Sequence, residues 1–200
     1  ALYRRPLITF YMRSPPERGD RGQDFRRASS GVSKRENALL DALLRDVRAR
    51  QEMVKALLED EEDFTKLAFV GSASTEDGIQ PVVAAISRTL SFDNTSKVTR
   101  RGDADDLFKL LRERTEKAGV FVLLMGDLGS HHSALSADVF RGFAIADSIA
   151  PFIVINDQDA KVARSFTLIH ELVHIWLGQS GVSGVPNADA PQTSRERVER

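Results

Sequence analysis

Apolar residues between Ser33 and Glu62 recur at steps of three and four, which predicts one long amphipathic helix. At its start, Ser33 and Glu36 form the S-x-x-E pattern of a capping box, which marks a helix N-terminus. We expect the apolar stripe to pack in the core, and a docking surface for a partner is the alternative. The stripe consists of Leu39, Leu40, Leu43, Leu44, Val47, Val54, Leu57 and Leu58.

Two shorter helices are predicted next, over residues 77–90 and from Asp103 to just before Gly119. Gly119 is of the residue type that most often follows the last turn of a helix. Beyond it the apolar residues form short β-prone runs, which predict strands over residues 120–125, 139–145 and 151–156.

The last third of the chain returns to a helical period over residues 157–177, which Gly178 closes. A polar loop is expected over residues 178–191, and a final helix begins near Thr193.

The order of these elements predicts an α+β fold in which helices pack on a small, mostly antiparallel sheet. A doubly wound parallel sheet is disfavoured because no crossover helices separate the three strands. Residues 1–32 are expected to hold an N-terminal strand, over 6–12, and a polar linker, over 14–30. Residues 33–200 then form the main domain.

Composition narrows the functional classes. The chain has 200 residues, and 42% of them are hydrophobic. Its 28 basic residues nearly balance its 29 acidic residues, so net charge alone does not make it a polyanion-binding protein. It has no cysteine, which excludes disulfides, Cys-ligated metals and Cys nucleophiles. No apolar run approaches the roughly 20 residues of a membrane span, and no signal peptide is visible, so we expect a cytoplasmic protein. Because the sequence starts at Ala1 without a methionine, we expect it to be a piece of a longer protein.

His170, Glu171 and His174 form an H-E-x-x-H motif inside the helical stretch 157–177. Residues four apart lie on the same face of a helix, so the two imidazoles can bind one metal ion. Zinc lowers the pKa of a bound water towards about 7, and Glu171 can then act as its general base, which is the chemistry of zinc peptidases. The alternatives are ordinary core histidines and a metal site without turnover.

A third protein ligand must come from another part of the chain. The long metzincin pattern does not apply, because the residues three and six after His174 are not the Gly and His that it needs. The downstream carboxylates are Asp189, Glu196 and Glu199. We favour Glu199 over Glu196, because Glu196 fits a second capping box with Thr193 that would turn it back onto its own helix.

From about Val120 onwards, the sequence resembles the ImmA/IrrE family of metallopeptidases. The strongest similarity is RSFTLIHELVHIWLG at residues 164–178, which is much more specific than the bare H-E-x-x-H. FRGF at residues 140–143 and APFIVIN at residues 150–156 also match. Residues 4–16 resemble the segment that precedes this domain in longer members.

This resemblance implies a zincin-like fold, a zinc ion held by His170 and His174, and Glu171 as the catalytic residue. It also implies a third ligand at the start of an E-x-x-A-N-like helix, whose first part Glu199 fits. Longer members often carry an N-terminal helix-turn-helix domain of the XRE type and act on repressors. The expected partners are therefore a repressor-like protein substrate and, through such a domain outside this sequence, DNA.

Three further residues are candidates for substrate binding. Arg141 and Gly142 lie in the run 139–145, which we interpret as an edge strand able to pair with an extended substrate backbone. A plain structural strand is the alternative. Asn156 ends the strand before the motif helix, where it either shapes the site or makes a turn.

The roles of three more polar residues are open between two interpretations. His131 and His132 are expected to be exposed loop residues, and the alternative is an added ligand or hydrogen-bond donor. Thr167 precedes His170 by one turn, so it either orients a ligand or has no function.

Taken together, these features predict a zinc-dependent endopeptidase that cleaves a specific protein partner, a transcriptional repressor. The alternative function is a regulatory or DNA-associated binding module, in which the zinc site is structural or sensory and no peptide is cut.

Overall fold

The computed structural model describes residues 32–61, 64–92 and 104–183, and four helices and four short strands lie within these ranges. The predicted strand over 6–12, the linker over 14–30 and the helix from Thr193 lie outside the described residues. None of the described helices is both long enough and apolar enough to cross a bilayer. The helices are α1 (Lys34–Glu59), α2 (Ile79–Thr89), α3 (Ala104–Lys117) and α4 (Lys161–Trp176). The strands are β1 (Phe121–Leu124), β2 (Gly142–Ile145), β3 (Phe152–Ile155) and β4 (Gly181–Ser183), and a one-turn 3-10 helix spans His131–Ser133.

Helix α1 begins at the predicted capping box. The Ser33 Oγ accepts a hydrogen bond from the Glu36 backbone N–H at 3.2 Å, and the Glu36 Oε2 accepts one from the Ser33 N–H at 2.9 Å. The first half of the apolar stripe is buried, including Leu40 and Leu43, whereas Leu57 near the end of the helix is exposed. Core packing is therefore confirmed for the first half of the stripe, and Val54 and Leu58 in its second half pack against the same core while partly buried.

The sheet has the strand order β1-β3-β2-β4. Strand β3 pairs in parallel with β1, with Phe121 opposite Phe152, and antiparallel with β2, with Gly142 opposite Ile155. Strand β4 pairs antiparallel with β2, so that Ser183 also lies opposite Gly142. Two of the three pairings are thus antiparallel, and the predicted α+β class is confirmed.

Helices cover both faces of this sheet. The side chains of its fully buried strand β3 alternate between the two faces, and each set is buried in a separate core. Ile153 and Ile155 belong to a core with α2, α3 and α4, whereas Phe152 and Val154 belong to a core with α1. The motif helix α4 packs on β2 and β3. The central strands are therefore dry on both sides, and they form a rigid base for α4.

The C-terminal end of α4 is closed by residues from far upstream. Gly178 has a φ of +65°, the left-handed conformation that commonly ends helices. The Gly71 N–H donates to the Ile175 carbonyl at 3.1 Å, and the Ala73 N–H donates to the Trp176 carbonyl at 3.0 Å. These bonds reach carbonyls that a helix leaves unpaired in its last turn, and the Ile175 carbonyl also accepts from the Gly178 N–H at 3.0 Å. Sequence patterns assigned no element to this part of the chain.

Two features of the sheet differ from the sequence prediction. Strand β4 lies in the predicted loop 178–191, because three residues are too few to show a periodic pattern. As a result β2 is paired on both sides, and the interpretation of residues 139–145 as an edge strand is wrong. Arg141 and Gly142 therefore do not offer a free strand edge to a substrate. The edges among the described strands are β1 and β4.

Candidate metal centre

Helix α4 starts four residues later than predicted, because side chains hold the preceding residues in a turn. The Gln158 N–H donates to the Asn156 Oδ1 at 2.9 Å, and the Ala160 N–H donates to the Asp159 Oδ1 at 2.8 Å. Such local bonds from Asn and Asp compete with helical ones. The turn leads the chain from the end of β3 into α4, which then crosses back over β2 with the H-E-x-x-H motif.

The two histidines of the motif converge on one point. The Nε2 atoms of His170 and His174 are 3.2 Å apart, and the rings are nearly perpendicular, with centroids 4.9 Å apart. His174 is 1% exposed, whereas His170 is half-buried at the border of the site. The exposed ring of Phe166 lies beside His170, with centroids 6.3 Å apart.

The spacing of these nitrogens fits a tetrahedral metal ion. Zinc–nitrogen bonds of about 2.0–2.1 Å at a tetrahedral angle place two ligand nitrogens about 3.3 Å apart. The observed 3.2 Å agrees with that value. A direct hydrogen bond between the two rings would also give this distance, so the donor set must be tested with metal. The residues present nevertheless fit zinc.

The carboxylate of Glu171 faces the sheet at strand β2. Glu171 is fully buried. A methyl group built on Gly142 would lie 3.0 Å from Glu171 Oε1 and 2.7 Å from Thr167 Cγ2. Residues 167 and 171 of the helix thus lie directly over a strand position that has no side chain.

The third ligand is not among the described residues. Within 32–61, 64–92 and 104–183, no group of three His, Cys, Asp or Glu side chains is arranged to hold a metal ion. Both carboxylates weighed for this role, Glu199 and Glu196, lie outside those ranges. The assignment of Glu199 therefore stays a prediction.

Asn156 organises the end of β3. Besides accepting from the Gln158 N–H, its side chain donates from Nδ2 to the carbonyl of Leu135 at 3.0 Å and to that of Phe140 at 2.9 Å. Its backbone N–H donates to the Arg141 carbonyl at 2.8 Å. Asn156 thus makes the predicted turn and also holds the loop that enters β2. A direct contact with substrate stays a prediction.

Arg141 directly precedes β2, and its side chain points towards the turn before α4. Its Nε is 4.0 Å from the Oδ2 of Asp159, whose side chain is largely buried. This long separation leaves the guanidinium only loosely paired, because an ion pair weakens with distance and Arg141 is partly in solvent. Its contact with substrate is not tested by this geometry.

His131, His132 and Thr167 take their structural roles in the described residues. The two histidines are exposed, and their segment contacts α1, where the Arg35 Nη2 donates to the His132 carbonyl at 3.2 Å. They therefore lie on the face of the sheet opposite α4. The Thr167 hydroxyl donates to the Ala163 carbonyl at 3.1 Å within the helix, so this proton is not used to orient a ligand.

Sequence reasoning missed the two neighbours that complete this arrangement. Sequence patterns assigned no role to Phe166, although its position four before His170 places both on one face of the helix. The close approach of Gly142 to Glu171 carries no local signal, since it depends on how α4 crosses the sheet.

An α+β fold in which a helix presents H-E-x-x-H over a small mixed sheet is consistent with a zincin-like metallopeptidase domain. The family comparison is more specific: residues 115–200 match the model of the IrrE N-terminal-like domain, Peptidase_M78. The resemblance to the ImmA/IrrE metallopeptidases is thereby confirmed for this part of the chain, and it indicates a metallopeptidase-type function. No match was found among curated proteins or among solved structures.

Proposed function

We propose that the protein is a zinc-dependent endopeptidase that hydrolyses a peptide bond in one specific protein partner, a transcriptional repressor. The family match supports the coarse class. The observation that carries the proposal is the convergence of the His170 and His174 Nε2 atoms to 3.2 Å, with buried Glu171 on the same helical turn. The choice of a repressor as substrate rests on the resemblance to longer family members.

The residues divide the reaction between binding and proton transfer. His170 and His174 would hold the metal through Nε2 as neutral imidazoles, and we assign the third ligand to Glu199. A bound zinc ion would supply Lewis acidity towards the scissile carbonyl and towards water. Glu171 accepts a proton from the attacking water and delivers it to the leaving amine. Because Glu171 directly follows His170 on a packed helix, the backbone sets the separation between the base and the ligand pair.

Three variants test this division. Glu171→Gln is expected to keep stoichiometric zinc but to lose about 10²–10⁴-fold in cleavage rate, because it removes the base and leaves the ligands. His170→Ala is expected to lose both zinc and cleavage. His131→Ala, an exposed histidine on the opposite face of the sheet, is the matched control and should change neither.

The measurements are zinc content by elemental analysis and, for any repressor-like protein encoded next to the gene, cleavage followed by mass spectrometry. Full activity of Glu171→Gln would refute the role of the base. Stoichiometric zinc without cleavage in the unaltered protein would favour the binding-module alternative.

Two further variants test the assignment of the third ligand. Glu199→Ala should lose zinc, and Glu196→Ala should retain it.

A further inference from the structure

Position 142 is a point of very close contact between the motif helix and the sheet. Gly142 is buried in β2 and is paired with strands on both sides. A methyl group built on it would lie 2.7 Å from Thr167 Cγ2, 3.0 Å from Glu171 Oε1 and 3.0 Å from the Val154 carbonyl oxygen. The backbone at Gly142 is not in the left-handed region, so this glycine is not required by its φ angle.

A glycine at position 142 lowers the stability of the strand, and the lack of room for a side chain accounts for its presence there. In an extended strand, glycine loses more conformational freedom on folding than alanine does, and it contributes no side-chain packing. An alanine would therefore suit the strand itself better. An alanine would not suit the helix above, because its methyl group would lie 2.7 Å from Thr167 Cγ2, which requires a shift, and 3.0 Å from Glu171 Oε1, which requires that oxygen to move by a few tenths of an ångström.

Of the three crowded neighbours, Glu171 has the most freedom to move, while the closest contact, with Thr167 Cγ2, is independent of that movement and strains the helix separately. The Val154 oxygen is backbone in the fully buried strand β3. Thr167 is β-branched, and its hydroxyl bond to the Ala163 carbonyl fixes its rotamer, so turning its methyl away would break that bond. Glu171 has rotatable bonds, and a small rotation moves Oε1 away from β2. The carboxylate would then leave its position against Gly142.

We infer that Gly142 is a positioning residue: its missing side chain leaves the space against β2 that the Glu171 carboxylate occupies, on the same turn of α4 that carries His170 and His174. This inference rests on the proposed function, in which Glu171 is the base. Displacement of a reacting group by a fraction of an ångström lowers the rate without removing the ligands, since rates depend steeply on geometry. The glycine therefore affects turnover through Glu171, while zinc binding stays intact.

Gly142→Ala is the direct test, with kcat, KM and zinc content measured on the protein substrate that the unaltered chain cleaves. We expect kcat to fall by about tenfold, KM to stay within about twofold, and zinc to remain stoichiometric. The double variant Gly142→Ala/Thr167→Ser removes the clashing methyl of residue 167 and keeps its hydroxyl. It should recover the melting temperature while kcat stays low, because the contact with Oε1 remains. Recovery of both together, or an unchanged kcat in Gly142→Ala, would overturn the inference.

A second measurement does not depend on activity. The drop in melting temperature caused by Gly142→Ala is compared in the metal-free unaltered protein and in the Glu171→Ala background. We expect the drop to be smaller by about 2 °C or more without the carboxylate, because residues in contact are energetically coupled. Equal drops would overturn the inference. An unaltered protein that binds zinc and cleaves nothing would contradict the proposed function alone, and this coupling would still decide the role of Gly142.

If Gly142→Ala does not fold, the same comparison is made in Thr167→Ser backgrounds with and without Glu171→Ala. Failure of all these variants to fold would show that the Val154 oxygen alone excludes a side chain, and the inference would be wrong.

Discussion

Zinc binding by the pair His170 and His174 should stabilise the folded protein, and His170→Ala should abolish this effect. The two Nε2 atoms lie 3.2 Å apart in the folded chain, whereas the unfolded chain does not hold them together. A ligand that binds only the folded state raises the free energy of unfolding. His170 is the cleaner position to change, since it is half-buried, whereas an alanine at His174, 1% exposed, would leave a cavity.

The size of the effect follows from mass action. At free zinc one hundred times the dissociation constant, the free energy of unfolding rises by about 2.7 kcal/mol. For a chain of about this length, each kcal/mol moves the melting temperature by about 2–4 °C. Zinc should therefore raise the melting temperature of the unaltered protein by about 5–10 °C. In His170→Ala the rise should fall to the level of experimental error.

The assay is thermal unfolding followed by circular dichroism, with buffered free zinc and with a chelator. His131→Ala serves as the control, since it also removes one imidazole, but from an exposed position on the other face of the sheet. A full zinc-dependent rise in His170→Ala would refute the assignment of the metal centre. So would the loss of that rise in His131→Ala.

Three further predictions concern stability. Ser33→Ala removes the N-terminal cap of α1 and should cost about 1 kcal/mol in urea unfolding; an unchanged midpoint would contradict the role of the cap. Burial tends to raise the pKa of Asp147, but the hydrogen bond from Lys55 and two backbone N–H bonds lower this pKa overall. The ionised Asp147 carboxylate therefore stabilises the fold above about pH 4, and this stabilisation is lost as the pH falls below that value. Asp147→Asn should therefore cost about 1–2 kcal/mol at pH 7, and unfolding curves should show a smaller difference in acid; a constant difference would argue against the charge. Leu172→Ala, in the fully buried core, should lower the free energy of unfolding measured by calorimetry by about 2–5 kcal/mol. Its control, Val162→Ala, lies on the same helix at a side chain that is 73% exposed, and it should change that free energy by no more than about 0.5 kcal/mol.

Features that depend on neighbours in sequence were predictable. The capping box at Ser33 involves residues three apart, and Gly119 and Gly178 end their helices with φ angles of +94° and +65°. The motif helix was found because its apolar period and its H-E-x-x-H spacing are both local. The convergence of His170 and His174 follows from the same spacing, since four residues make about one helical turn.

Features that depend on distant pairing were not predictable. The edge assignment of residues 139–145 was wrong because β4, which covers that edge, is only three residues long. The role of Gly142 also requires the crossing of α4 over β2, which no periodicity encodes. Glu199 and the N-terminal strand over 6–12 lie outside the described residues, so they stay predictions.

The bonds from Gly71 and Ala73 to the end of α4 bear on which part of the chain is the smallest autonomous unit. The family similarity starts at residue 115, but the Trp176 carbonyl at the end of the motif helix accepts from Ala73, upstream of that point, and helix α1, which covers one face of the sheet, also lies upstream. Excising residues 115–200 would leave both open to water. Recombination or engineering that transplants this motif into another protein must therefore carry the upstream helices with it.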